Sequence, residues 1–264
     1  MKKINIFMAM GLVLVMLLGA CTSTSVQSDY SSSNTQNTAS TQQSSQGRAV
    51  FAIKDAAADM GAVTSVKVTV DSVKVHSETE GWVTVSSSQK NYDLLQLKAQ
   101  GKQELLADVQ LKDGTYDQLR LDISNVVVTD ADGMHEAKLP SGELKINGNL
   151  VVEGNTTSTA TFDFIADESL HVTGNGKYIM APVVQVETRS DADVQIGSGN
   201  KVEIKGGNVK TNVKVGMDLD GNVGVNVKVP SNANITIDSS GMVKIGSGNA
   251  KGSANAGIGI GASA

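Results

Sequence analysis

From residue 49 to residue 187 apolar and polar positions alternate in short runs. Alternation with a period of two puts successive side chains on opposite faces of an extended strand. "AVFAIKD" (49–55) reads as a first strand. "SVKVTVDSVKVHS" (65–77) sets Val66, Val68 and Val70 on one face, and Val73 and Val75 then continue out of phase. That slip near Asp71-Ser72 predicts a β-bulge or bend. "GWVTV" follows a turn at 78–81. In "YDQLRLDISNVVVTD", Leu119, Leu121 and Ile123 share a face, with Arg120 and Asp122 opposite. "TSTATFDFI" and "KYIMAPVVQVE" are two further strands. Only "KQELLADV" (102–109) has the look of a short helix. Many short strands separated by turns predict an all-β fold, an antiparallel sandwich or barrel.

Beyond residue 190 the pattern changes. Val and Ile alternate with Lys, Asn and Gly, no aromatic follows Tyr178, and "VQIGSGN" (194–200) returns as "VKIGSGN" (243–249). Gly and Asn supply turn conformations, so 191–264 reads as a Gly/Asn/Val-rich β extension forming a meander or solenoid layer on the sandwich. The alternative is that 191–264 has no fixed structure; the tail "AKGSANAGIGIGASA" is expected to be disordered in either case. Seven of the nine aromatic residues lie between Phe51 and Tyr178. Large aromatics dominate core burial, so the core is placed in 48–190.

The amino-terminal pattern is of another kind. Lys2-Lys3 precedes fifteen uncharged, mostly apolar residues, Ile6 to Ala20. A membrane span needs about 20 residues, whereas a basic start, a short apolar stretch and small residues at its end mark a secretory signal peptide. Leu18-Gly19-Ala20-Cys21 resembles the bacterial lipobox. That resemblance implies cleavage before Cys21, a diacylglycerol thioether on Cys21 and N-acylation of the new terminus, commonly with palmitate. The first twenty residues are therefore expected to be a lipoprotein signal peptide, and acylated Cys21 a partner of membrane lipid. Thr22, rather than aspartate, at the next position favours the outer membrane where the cell has one. Thr22 to Gly47 is almost entirely Ser, Thr, Gln and Asn. Such a stretch buries too little apolar surface to offset its ordering entropy, and 21–47 reads as a lipidated cysteine followed by a flexible tether with a reach of about 25–30 Å.

Charge and cysteine content narrow the partners. Loss of Lys2 and Lys3 leaves 20 Lys+Arg against 27 Asp+Glu, a net charge of −7 with histidine neutral. Nucleic acid and anionic headgroups call for a basic patch, so neither is expected as a partner. A single cysteine excludes an internal disulfide.

Taken in order, "KDAAAD" (54–59), "VKVTVDSVKVH" (66–76), "GWVTV" (81–85), "YDLLQL" (92–97), "DGTYDQLRLDI" (113–123), "LPSGELKI" (139–146), "TATFDFIADESL" (159–170) and "GKYIMAPVVQV" (176–186) resemble the DUF4382 family, found in secreted and lipid-anchored prokaryotic proteins. Ala57 departs from its pattern, which has proline there. The resemblance covers 48–190 and implies a transthyretin-like (prealbumin-type) β-sandwich. It brings no catalytic residue, and it does not extend over 191–264.

Candidate chemistry is sparse. Tyr116, three residues after Asp113 and entering a strand, fits a tyrosine corner. "TDADGMH" (129–135) and "MDLDGNV" (217–223) look like calcium loops. An EF-hand, however, needs glycine at position 6 and glutamate at position 12. From Asp130 those positions hold His135 and Ser141, and from Asp218 they hold Val223 and Val229. Both are expected instead to be type I′ hairpins. Asp55 and Asp59 are candidate cation ligands, with helix capping or solvation the plainer alternative. His76, His135 and His171 are isolated from one another, without metal-ligand spacing. No catalytic or cofactor motif is present, and no metal or cofactor is expected. Trp82 shares a face with Thr84, away from Val83 and Val85. A lone tryptophan usually packs in a core; on an exposed face it would stack on a sugar ring or a partner. The expectation is a lipid-anchored, non-enzymatic cell-envelope protein that binds a polysaccharide or an envelope partner. The alternatives are an envelope hydrolase or metal-dependent enzyme using scattered Asp and His residues, and an assembly protein pairing through its C-terminal β edges.

Overall fold

A computed structural model describes residues 45–56, 59–231 and 233–246. The expected signal peptide, Cys21, nearly all of the expected tether, Ala57 and the tail from 247 lie outside the described residues. The chain forms β1 (Gln46–Asp55), β2 (Ser65–Ser77), β3 (Gly81–Ser86) and β4 (Lys90–Asp93), then helix α1 (Leu94–Ala99). Next come β5 (Gln103–Lys112), β6 (Gly114–Asp130), β7 (Gly133–Glu136), β8 (Glu143–Val152) and β9 (Thr157–Phe164). After the single helical turn α2 (Ala166–Ser169) follow β10 (Leu170–Val172), β11 (Tyr178–Met180), β12 (Val183–Ile196) and β13 (Lys201–Met217). The last three strands are β14 (Val223–Val225), β15 (Asn234–Ile237) and β16 (Val243–Gly246).

Two large sheets make the sandwich. One runs β3-β2-β6-β7, with β4 beside β2 and β8 beside β6; the other runs β12-β9-β1-β5-β13-β14. Their facing sides share one core, with Phe51, Phe162 and Phe164 from the second sheet against Val68, Leu119 and Leu121 from the first. Each buried phenylalanine contributes about 1.5–3 kcal/mol relative to exposure. The all-β expectation holds. The pairing is antiparallel except for β1 with β9, which run parallel.

The phase slip read in β2 is a real irregularity. Its register against β6 shifts between Thr69 and Val70 and again between Val70 and Ser72. Because of it, Val66, Val68 and Val70 before the bulge and Val73 and Val75 after it are all buried. Tyr116 donates its hydroxyl to the Lys112 carbonyl at 3.1 Å, as a tyrosine corner does.

Three expectations are corrected. "KQELLADV" is not helical: it forms most of β5, paired with β1 along its length. Pairing to a buried neighbour outweighs the local helix preference of Glu, Leu and Ala. The helix lies earlier, at α1, where Asp93 caps the start by accepting from Gln96 N–H at 3.2 Å. The two Asp-Gly hairpins exist, but neither turn is type I′, which requires positive φ at both central residues. Between Asp130 and Gly133 only the glycine has positive φ, and between Asp218 and Asn222 only Gly221 has. The leading aspartate dictates this. Asp130 accepts from the N–H groups of Asp132 and Gly133, and Asp218 from those of Asp220 and Asn222. Finally, the Val/Asn/Gly region is strand-forming and part of it packs on the outer side of the second sheet, as a layer does, but its strands continue those of the sandwich. β12 runs through the expected boundary at 190/191, and β13 pairs with it along almost its whole length.

Candidate functional site

β3 is an edge strand, so its outward side chains have a neighbour on one side only. Val83 and Val85 turn inward, and Trp82 and Thr84 turn outward. Trp82 is 40% exposed, which corrects the expectation that it packs in the core.

Cross-strand register builds a polar platform around the indole. His76 of β2 lies directly opposite Trp82, their ring centroids 5.2 Å apart and tilted by 55°. Lys74 lies opposite Thr84 on one side and Arg120 of β6 on the other. Arg120 reaches across β2, and its guanidinium carbon stands 4.2 Å from the Trp82 ring centroid, a cation–π contact. Glu143 of β8 holds the same guanidinium at 2.9 Å. Asp117 Oδ1 accepts from His76 Nδ1 at 2.7 Å. Lys74 donates to Asp122 at 2.6 Å, and Ser72 donates to the same carboxylate oxygen. Partial burial pushes the Asp122 carboxyl up, but Lys74, Ser72 and Arg120 outweigh it and hold the group below its ordinary range. The indole is thus fixed from beneath and beside by paired charges, with part of its surface open. Such a surface stacks and hydrogen-bonds.

The remaining sequence candidates go elsewhere. Asp55 is buried at the end of β1, and its Oδ1 accepts from the first N–H of α2, Ala166, at 3.2 Å. Asp59 is exposed and accepts from Gly61 N–H at 2.9 Å, closing its own turn. Each carboxylate serves a backbone donor, the capping role weighed against cation binding. His135 meets Asp130 at 3.0 Å beside Tyr178, away from His76. His171 of β10 has a buried Nε2 without a hydrogen-bond partner among the described residues, and burial holds its imidazole below the usual range. Among the described residues, no three His, Cys, Asp or Glu side chains converge into a group that could hold a metal ion.

The sequence did not point to Arg120, Glu143 or His76 as supports of Trp82. Alternation alone put Arg120 and Asp122 on the outward side of β6. Only the β3–β2–β6 register brings them to the indole.

Comparison with curated proteins and with solved structures found no match. The family model described as "Domain of unknown function (DUF4382)" matches residues 46–182, just over half of the chain. That stretch holds β1 to β11, and with them the whole sheet that carries Trp82. On this match the chain belongs to the DUF4382 family.

Proposed function

We propose that this protein is a lipid-anchored envelope module that binds polysaccharide through the outward face of the β3–β2–β6 sheet. The observation that carries the reading is Trp82, 40% exposed on an edge strand and buttressed by Arg120 and His76. A rigid exposed indole loses little side-chain entropy when it stacks on a sugar ring, and its polar neighbours offer hydrogen bonds to ring hydroxyls. The location rests on the lipobox-like Leu18-Gly19-Ala20-Cys21 and on the Ser/Thr/Gln stretch after it. Among the described residues no helix is long and apolar enough to cross a membrane. In this reading the acyl chains on Cys21 attach the protein to the membrane.

The test is retention of the protein on immobilised cell-wall and capsular polymers, compared with Trp82→Ala. Wild type is expected to bind at least one neutral or acidic polymer, and Trp82→Ala to bind it about tenfold or more weakly, the scale of a tryptophan hot spot. Equal retention of both proteins, or no retention on any polymer, would reject the reading.

A further inference from the structure

The second sheet closes on itself. β12 pairs with β9, β9 with β1 and β1 with β5; β13 then pairs with β5 at Val202↔Gln103 and with β12 at Val194↔Ile204. The long β12–β13 hairpin therefore bends across the side of the sheet turned away from the sandwich core. Its bend lies where the ladder skips Asp191 and Gly207, and Asp191, Gly206 and Gly207 all have positive φ there. At one end the closed ring is filled by apolar side chains: Val50, Ala52 and Val202, with Leu105, Val194 and Ile204 packed on them. At the other end it is hollow.

That hollow has a volume of about 690 Å³, and all five strands of the ring line it. The size lies within the roughly 300–1,000 Å³ of small-molecule sites, and barrel mouths are a common place for them. Its lining is polar. Four charges face it and pair off, Lys54 with Asp163 at 2.6 Å and Glu187 with Arg189 at 2.7 Å. Arg189 also donates to the Gly206 carbonyl at 2.8 Å, tying the pair to the bend. A charged ligand would have to break one of these ion pairs. Two other groups are left wanting: Asp163 Oδ1 and Gln103 Oε1 are buried and have no hydrogen-bond donor among the described residues. A buried acceptor without a donor costs about 1–3 kcal/mol, so each calls for one. Thr161 stands on the same lining, and Ile204 supplies an apolar wall.

We infer that this cavity is a binding site for a small, neutral, hydroxyl-rich ligand, a free sugar or polyol. Hydroxyl groups donate to Asp163 and Gln103 while accepting from other groups of the lining. The C–H face of the ligand lies on Ile204, and the two ion pairs stay intact. The site is on the opposite side of the sandwich from Trp82, and it does not depend on polymer binding there.

The test is saturation-transfer NMR titration of the full chain in a non-glycosidic detergent. The probes are galactose, N-acetylglucosamine, maltose and mannitol, with glucuronate and glucosamine as charged counterparts. Gln103→Leu removes one acceptor, and Thr161→Trp fills the hollow; unchanged circular dichroism shows that each variant is folded. At least one neutral probe is expected to bind, with affinity about tenfold lower in Gln103→Leu, the effect of one buried hydrogen bond. Binding should be lost in Thr161→Trp. A bound sugar whose affinity is the same in wild type and both variants sits elsewhere, and that result overturns the assignment. So does the absence of binding by every neutral probe, or tighter binding of the charged ones.

Discussion

Asp130 organises the turn between β6 and β7. One carboxylate oxygen accepts from the N–H groups of Asp132 at 2.8 Å and Gly133 at 3.2 Å and meets His135 at 3.0 Å; the other accepts the Tyr178 hydroxyl at 2.6 Å. The tyrosine contributes most to holding the Asp130 carboxyl below its ordinary range, and the same bond pushes the Tyr178 hydroxyl up to about 12. The two shifts act at opposite ends of the pH scale. A carboxyl lowered by folding adds stability that is present above its unfolded value, about 3.9, and is lost as pH falls through the lowered one. A phenol raised by folding adds stability that is present below about 10 and is lost as pH climbs toward its folded value. Tyr178→Phe should therefore return the Asp130 carboxyl toward the ordinary range and remove part of the alkaline loss of stability. Carboxyl-carbon NMR titration of Asp130, with urea unfolding across pH, measures both. An Asp130 titration that does not move in Tyr178→Phe would show that another partner sets it.

The β12–β13 hairpin completes the second sheet, and its bend depends on two adjacent glycines that are not equivalent. Both have positive φ, at 63° for Gly206 and 78° for Gly207. A side chain at Gly206 would enter open space, whereas a Cβ at Gly207 would come within 2.9 Å of the Ser190 carbonyl oxygen and 3.0 Å of the Ala192 methyl. Gly206→Ala should cost about 1–2 kcal/mol, the penalty of the left-handed conformation. Gly207→Val adds the steric clash and should cost at least about 3 kcal/mol, near the top of the range for backbone strain. Denaturant midpoints test that order, and a Gly207→Val no worse than Gly206→Ala would contradict the geometry. Sequence shows this region unevenly. Glycine pairs and Val/Asn alternation announce strands and turns, and the slip at Asp71-Ser72 announces the bulge in β2. Ring closure is not announced, because it rests on the contact of Lys201 and Val202 with Glu104 and Gln103, far away in the chain. For the same reason β5 reads as helix until β1 pairs with it. Trp82 reads as core until β3 proves to be an edge. The family match stops at residue 182, yet Val184, Val186, Val215 and Met217 belong to the main core, so the hairpin is part of the domain's packing.

For the molecule as a whole, both outward faces of the sandwich carry polar features, and the main apolar core lies between the sheets. The net charge of −7 that would remain after loss of Lys2 and Lys3 opposes attraction to anionic headgroups. The proposed envelope location rests on acylation of Cys21. Each buried methylene of an acyl chain contributes about 0.8 kcal/mol; one chain holds marginally, and two or more hold firmly. This gives a signature that electrostatic attachment lacks. The wild-type protein should stay with membranes in a high-salt wash and leave them in detergent, because salt screens charges but leaves hydrophobic burial intact. Cys21→Ser should fail to incorporate labelled lipid precursor and should leave the membrane fraction without detergent. Its melting temperature should match that of the delipidated parent, since the core of the sandwich is built from residues after Gln46. Equal labelling of wild type and Cys21→Ser, or release of wild type by salt alone, would remove the anchor and with it the envelope assignment.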